Sequence, residues 1–394
     1  MAVMPKTTAT PAKSGEPGSG RWKHSWRELV DDVLDPNLCT GCSGCILACP
    51  RDVLRLDHTA WRPELLTDAW GENGSTDCIY TARGCTMCAR ACPRLGTWEA
   101  EADVAIWGRS REPDEILGIY QSIVLVNATD PDIAATAQDG GLATALLAYA
   151  LEHDVIDAAL VSYVDQGQTP RSGVARTRKD LLAAAGSRYT YSANTLAFGD
   201  ALDLEGVDRL GLVSVGCQTS IPAVCTAHGA RRVARRFALT IGLLCSSTFD
   251  ESIYDDLIHG RYGVERSDIT KVNIKGRLQI WTGTDSPDPD VEIPLKECRP
   301  FRRAGCTHCT DFSAAHADIS LGGIGKFRGT TLAIIRSDLA ADLVTAMEHA
   351  GLIEVISAAE HDPSAIDLIT KLAATQRKRF TPPGAPIPGN SGRA

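Results

Sequence analysis

The chain has 394 residues, of which 44% are hydrophobic and 23% charged, with a formal net charge of −9. That balance is ordinary for a globular protein of two or three domains. The acidic charge and an aromatic content of only 6% argue against a nucleic-acid binder. No apolar run reaches the roughly 20 residues of a membrane span, and no hydrophobic leader opens the chain. The expectation is therefore a protein without a transmembrane segment, in the cytoplasm, where thiols stay reduced.

The 14 cysteines then point to metal rather than to disulfides. Residues 1–20 are rich in Thr, Pro, Ser, Gly and Lys and read as a disordered tail. The stretch 21–36 is amphipathic (Trp26, Leu29, Val30, Val33, Leu34) and predicts a short helix packed on the cysteine-rich segment beyond it. Residues 1–33 are thus a tail and a short helix, and 34–98 form the cysteine module. Its first run reads Cys39-Thr-Gly-Cys42-Ser-Gly-Cys45-Ile-Leu-Ala-Cys49-Pro50. This is the bacterial ferredoxin spacing: two-residue gaps let a tight loop put three thiolates on one cube, and a fourth cysteine leads away. The second run is a variant, with six residues between Cys78 and Cys85-Thr-Met-Cys88-Ala-Arg-Ala-Cys92-Pro93.

In two-cluster ferredoxins the fourth cysteine of each run serves the other cluster. The spacing therefore assigns Cys39, Cys42, Cys45 and Cys92 to one [4Fe-4S] cluster and Cys49, Cys78, Cys85 and Cys88 to a second. The alternative, a pair of zinc knuckles, usually shows two CxxC pairs with no third cysteine in phase and no following proline.

A polar linker over 109–114 leads into alternating strand and helix patterns. Strands are expected at Ser122–Asn127, Ile156–Val164, Leu210–Val215, Phe237–Cys245, Thr331–Ile335 and Ile353–Ile356, with a hairpin of Ile269–Ile274 and Arg277–Trp281 turning at Lys275-Gly276. Helices are expected at Leu142–Leu151, Lys179–Ala185, Ile221–Arg235, Asp338–Gly351 and Ala365–Arg377. The fold class is α/β (α+β): a ferredoxin-like module, then a core with a largely parallel or mixed sheet. The core divides into 115–205 and 206–378, and a Pro/Gly/Ser-rich loose tail fills 379–394.

Three segments of the core carry candidate chemistry. Gln138-Asp139-Gly140-Gly141-Leu142-Ala143-Thr144 opens a helix. Gly186-Ser187-Arg188-Tyr189 forms a second group. The third is Cys306-Thr-His-Cys309-Thr-Asp311-Phe312, running into Ala317-Asp318-Ile319-Ser320-Leu321-Gly322-Gly323-Ile324-Gly325. Taken alone each is bland. Two glycines before a helix are usually a turn and a cap. The run from Gly322 to Gly329 misses both the dinucleotide and the P-loop order. A lone Cys306-x-x-Cys309 suits a thiol pair or half a zinc site. His228, His308 and His316 read as hydrogen-bonded structure and Cys225 as core.

Together the segments resemble the family of coenzyme F420-reducing hydrogenase beta subunits, over roughly 34–360. With its two-cluster module the chain is nearest to the F420H2 dehydrogenase input subunit. Further residues that carry the resemblance are Gly216-Cys217-Gln218, Ile241-Gly242-Leu-Leu-Cys245, Ile274-Lys275-Gly276 and Glu292-Ile-Pro-Leu-Lys296. Departures are Val215-Gly216 where Thr-Pro is usual, Leu244 where an aromatic is usual, and Asp139 where Ser is usual. Cys298 stands where relatives carry Leu.

The resemblance implies a flavoprotein oxidoreductase that binds FAD and exchanges a hydride with coenzyme F420. A third [4Fe-4S] cluster would be held by Cys217, Cys245, Cys306 and Cys309. Gly140, Gly141 and Thr144 would face the FAD pyrophosphate at a helix start, and Gly186, Ser187 and Tyr189 would line its ring. The coenzyme's phosphate and oligoglutamate tail would need cations, for which Arg188, Lys275, Lys326, Arg328 and Arg336 are candidates, with Gly323 and Gly325 allowing close approach. Hydride transfer needs positioning more than proton transfer, so no catalytic acid or base is nominated. A flavin takes two electrons together and releases them singly, which fits three clusters leading to a redox partner subunit, a ferredoxin or a quinone-reducing complex, the last placing the chain at the periphery of a membrane assembly. The alternatives are a same-family ferredoxin-dependent reductase of another substrate and a non-catalytic electron-relay subunit.

Overall fold

The computed structural model describes residues 24–69, 77–96, 98–165, 168–283, 286–325 and 329–379. The tails read over 1–20 and most of 379–394 lie outside them, as do Lys326 and Arg328.

The cysteine module is small and wraps one antiparallel hairpin, β1 (Leu54–Asp57) and β2 (Arg62–Leu65), in which Leu54 faces Leu65. Its N-terminal helix runs Trp26–Leu29 and continues as a wider helical turn over Val30–Leu34. Trp26, Leu29, Val33 and Leu34 lie on one side and are buried against Leu38, Leu54, Leu65 and Leu95. Burying each such side chain stabilises by about 1.5–3 kcal/mol, which a module of this size needs.

A helix follows at Trp98–Trp107, which no apolar period announces. It is held by charge instead. Asp103 is fully buried and accepts hydrogen bonds from the Arg111 guanidinium at 2.6 Å and from His316 at 2.9 Å. Glu99 on the same helix binds Arg111 at 3.0 Å and Arg377 at 3.2 Å. Arg111 lies in the stretch read as a polar linker, yet its side chain is anchored, so that segment is a strut. The paired cations hold the Asp103 carboxyl well below the usual carboxylate range. A depressed folded pKa adds stability above the unfolded value, near 3.9, that is lost as pH falls further. Asp103→Ala leaves the buried guanidinium with Glu99 alone and is expected to cost about 1–3 kcal/mol, visible as a lowered urea midpoint at neutral pH.

The core is built on one eight-stranded sheet. In chain order its strands are β3 (Ser122–Ala128), β4 (Ala158–Val164), β5 (Pro170–Ala175), β6 (Leu210–Val215) and β7 (Phe237–Leu243). A separate three-stranded antiparallel sheet holds β8 (Lys271–Ile274), β9 (Arg277–Trp281) and β10 (Val291–Pro294). The main sheet resumes with β11 (Ile319–Gly322), β12 (Thr331–Ile335) and β13 (Ile353–Ser357). The spatial order is β13-β3-β12-β11-β7-β6-β4-β5. The pairs β11–β7, β7–β6 and β6–β4 are parallel and the rest antiparallel, so the sheet is mixed.

Successive side chains on a strand point to opposite faces. Val126, Ala333 and Ile335 meet the helices Leu142–Glu152 and Asp338–His349 on one face. Leu125, Leu332 and Ile334 meet the helix Pro363–Arg377 on the other. Farther along, Leu160, Leu210 and Leu212 pack with Ile221 and Cys225, and with Cys42, Leu47, Ala48 and Ala91 of the cysteine module. Module and core therefore share one apolar contact. The helix read as continuous over 221–235 is two, Ile221–Ala227 and Arg231–Ala234, because Gly229 turns left-handed between them at φ +76°. Among the described residues no helix is long and apolar enough to cross a membrane.

Parallel pairing sets where the chemistry can sit. Val215 at the end of β6 is in register with Leu243 at the end of β7, and Leu321 of β11 is also beside Leu243. The next residues, Gly216-Cys217, Leu244-Cys245 and Gly322–Gly325, thus emerge at one edge. In open α/β sheets that carboxyl edge is where ligands bind.

Candidate functional site

The two cysteine runs fold into two separate nests. Cys39, Cys42, Cys45 and Cys92 ring one cavity, closed by Leu29, Val33, Pro63 and Arg94. Cys49, Cys78, Cys85 and Cys88 ring another, with Arg51, Tyr80 and Met87 on its wall. Gly41 is left-handed at φ +74°, and its N–H donates to the Cys39 Sγ at 3.4 Å. Burial pushes the Cys42 thiol up to about 12, helped by its neighbour Cys39, and drives Cys45 and Cys92 well above an ordinary thiol. Thiols this buried ionise together only against a strongly cationic centre. Among the described residues no three His, Cys, Asp or Glu side chains close on a point suited to one metal ion. The two nests enclose volumes instead, a shape that fits a multi-iron cube. Cys42, Cys45 and Cys92 of the first nest are buried, whereas the second nest's cysteines are all partly exposed.

A third group forms at the sheet edge. Cys217 lies within electrostatic reach of Cys309, Cys306 and Cys245, and packs on the apolar cluster that holds Cys42 of the first nest. Burial pushes Cys217 and Cys245 far above an ordinary thiol and Cys309 up to about 11. Thr248 Oγ1 lies 3.5 Å from the Cys306 Sγ. The buried Gln376 amide donates to the Cys245 carbonyl at 3.1 Å and to the Asp311 carbonyl at 2.9 Å. Cys225 and Cys298 stand apart, each in an apolar core. His228 bonds to the Arg90 carbonyl and Glu101, and His316 to Asp103.

Beside this third group the glycine-rich turns converge. Gly140 touches the sheet so closely that a Cβ there would lie 2.2 Å from the Val126 carbonyl oxygen and 2.6 Å from the Thr331 nitrogen. Gly141, at φ +78°, caps the 11-residue helix Leu142–Glu152 without any side-chain capping bond, so backbone N–H groups are open at its start. Thr144 stands in that first turn. Gln138 ties three segments together: its amide accepts from the Ser187 N–H at 3.3 Å and donates to the Val272 carbonyl at 3.2 Å. Tyr189 donates its hydroxyl to Asn273 at 3.0 Å. Lys275, at the tip of the β8–β9 hairpin, pairs with Asp139 at 3.2 Å. Asp139 in turn packs against Gly323, where a Cβ would lie 1.7 Å from its carboxylate. The departure from Ser to Asp at 139 thus has a partner in Lys275. Gly325, at φ +124°, leans on Asp362.

Two arginines named from the sequence behave differently. Arg188 is part-buried; it donates to the Ala185 carbonyl at 3.0 Å, while its Nε is buried without a partner and no carboxylate pairs with it among the described residues. Burial lowers the pKa of its guanidinium, so a bound anion would be favoured there. Arg336 is 2% exposed and spends its donors on Ser320 Oγ and the Ile119 and Ser313 carbonyls. The structure does not bring it to the glycine turns. A charge inside a strand-rich core can look from sequence like a ligand cation, but here it ties loops together.

The family described as coenzyme F420 hydrogenase/dehydrogenase, beta subunit, matches twice, its N-terminal part over residues 123–198 and its C terminus over 207–361. A 4Fe-4S binding domain matches residues 32–55. The coenzyme F420 hydrogenase subunit beta of Methanothermobacter thermautotrophicus is 34% identical over 268 residues, 67% of this chain and 94% of that protein. The chain belongs to the family of coenzyme F420 hydrogenase/dehydrogenase beta subunits. Family membership makes it a component of an F420-dependent iron–sulfur oxidoreductase. One component of the F(420)H(2) dehydrogenase of Methanosarcina mazei is 26% identical over 79% of this chain and 82% of its own length. A chain of the F420-reducing [NiFe] hydrogenase complex from Methanosarcina barkeri superposes with a TM-score of 0.64 at 30% identity, covering 68% of this chain and 92% of that one. These relatives are named as subunits of larger assemblies.

Proposed function

We propose that this subunit passes electrons between coenzyme F420 and a protein partner, through FAD at the sheet edge and three [4Fe-4S] clusters. The single observation that carries the reading is the chain of neighbours. Gln376 bonds both the Cys245 carbonyl and the Cys309 Sγ, Cys217 packs on the apolar cluster that holds Cys42 of the first nest, and Cys45 and Cys92 of that nest share a second cluster with Cys49, Cys78 and Cys88. Sites packed in that order, from the sheet edge to a partly exposed nest, would make a wire with an exit.

Bound FAD would take two electrons as hydride and release them singly, a conversion that the clusters require. Around it the chain's residues do three things. The open N–H groups at Leu142–Thr144 and the lone Arg188 Nε offer donors to phosphate oxygens. The Gln138–Ser187–Val272 and Tyr189–Asn273 bonds fix the hairpin over the turn, where it would shield a bound flavin from water and help to position it for hydride exchange. Lys275 at the hairpin tip supplies a cation that can leave Asp139 for the anionic tail of F420.

Turnover of reduced F420 with an artificial one-electron acceptor tests this reading, together with iron, sulfide and flavin analysis of anaerobically purified protein. Lys275→Ala is expected to raise KM for F420 while FAD and iron are retained. A charge-assisted contact is worth about 1.5–3 kcal/mol, or roughly tenfold to over a hundredfold. High salt should shrink the difference, since screening weakens the wild-type contact. Unchanged KM at low salt would remove Lys275 from the coenzyme site.

A further inference from the structure

The seam between the cysteine module and the core contains a buried cation that the electron path above does not use. Arg303 is 5% exposed. Its guanidinium lies 3.8 Å from the centre of the Tyr191 ring and 5.6 Å from that of Trp61, and the two rings meet edge to face at 5.2 Å. Its Nη1 donates to the Thr40 carbonyl at 3.2 Å, between the first-nest cysteines Cys39 and Cys42. Its own backbone leads to the third group: the Arg303 carbonyl accepts from the Cys306 N–H at 3.0 Å. Tyr191 lies within electrostatic reach of Cys217, Cys42 and Cys306, and its buried hydroxyl has no hydrogen-bond partner among the described residues. The seam is tight. A Cβ on Gly305 would lie 2.1 Å from the Cys39 carbonyl oxygen, and one on Gly41 would lie 2.9 Å from the Arg303 Nη2.

A guanidinium inside a protein is expected to have a carboxylate partner. Among the described residues none lies within ion-pair distance of Arg303. Asp250 is close enough to feel it, but its own burial raises its carboxyl. The neighbours that remain are two sets of thiolate-bearing loops, and the charges that would balance Arg303 are those of the groups they hold.

We propose that Arg303 is a positioning residue of the electron path: its fixed charge between the first nest and the third group makes an added electron there more favourable, and so sets the potential of the step across the seam. The inference rests on the cluster reading above. The step it acts on is the gain of one electron by a cluster, with no bond made or broken, and the guanidinium keeps its proton throughout. The Thr40 contact places the larger effect on the first-nest cluster.

The test is a dithionite titration of the full-length protein, followed by electron paramagnetic resonance, on wild type, Arg303→Gln and Arg303→Lys. Gln removes the charge and should lower the reduced-to-oxidised ratio of one cluster about tenfold at fixed potential, a shift of about 59 mV for one electron. Lys keeps the charge and should stay near wild type. The Gln shift should persist at high salt, because a buried charge is poorly screened. Iron and flavin contents should be equal in all three, and if Gln does not load its clusters, Arg303→Met takes its place with the same expectation. Loaded clusters with unmoved potentials in the neutral variant, or an equal shift in Lys, would overturn the proposal and leave the cluster reading intact. A wild type that holds no iron would instead overturn the cluster reading itself.

Discussion

Cys245→Ala is expected to remove one cluster and cut the path at its first step. Cys245 lies just past the end of β7, half-buried, and Gln376 bonds both its carbonyl and the Cys309 Sγ, on the side proposed for the flavin. Losing one of four thiolates should lower iron from about twelve to about eight per chain, with the two nests of the module still loaded. Flavin should stay, because none of the bonds that fix the Gln138, Ser187 and Asn273 segments involves Cys245. Reduced F420 should then still bleach the flavin in a single turnover, while reduction of an external one-electron acceptor falls to background. Cys298→Ala is the control. Cys298 is buried among Ile253, Leu278 and Ile293, in a cluster that holds no other cysteine among the described residues, and the variant's iron content should match wild type. If Cys298→Ala lost iron and Cys245→Ala did not, the ligand set would be wrong.

Gly140→Val should empty the flavin site, by displacing backbone rather than by removing a contact. The added Cβ meets the Val126 carbonyl and the Thr331 amide, both in adjacent strands that pair with each other, so neither can move without breaking the ladder. Overpacking typically costs about 1–3 kcal/mol, and here the strain falls on the turn that starts the helix Leu142–Glu152. The expected result is protein with its iron retained in the module and FAD lost on gel filtration. Gly276→Ala at the hairpin tip is a useful contrast. It is also left-handed, at φ +73°, but nothing lies within 4 Å of its Cβ. Its cost should be only the backbone strain of about 1–2 kcal/mol, with FAD kept.

The features that spacing or periodicity can express are legible in the sequence. Two-residue gaps and a terminal CxxxCP separate the eight module cysteines into two fours, and the structure brings the same fours to two cavities. Buried strands such as Thr331–Ile335 read as unbroken apolar runs because both their faces are covered. The edge strand Pro170–Ala175 escapes such a reading because its residues, Pro-Arg-Ser-Gly-Val-Ala, carry the polar and helix-breaking types that protect an edge. The strand Ile319–Gly322 is hidden inside a glycine-rich motif. Contacts across long sequence separations leave no local trace. Arg303 reaches Thr40 across 263 residues, and Gln376 lies beyond the segment over which the resemblance runs. Arg336 shows the opposite error: a cation near a glycine-rich turn in sequence can be wholly internal in space.

Anaerobic rapid mixing of reduced F420 with the protein, replete in FAD and iron, tests the central claim most directly. The account predicts that the flavin bleaches first and the iron–sulfur absorption next, within one mixing experiment, with the deazaflavin oxidised in step. Fully loaded protein that leaves reduced F420 unchanged, yet is reduced by a nicotinamide or by ferredoxin alone, would contradict it.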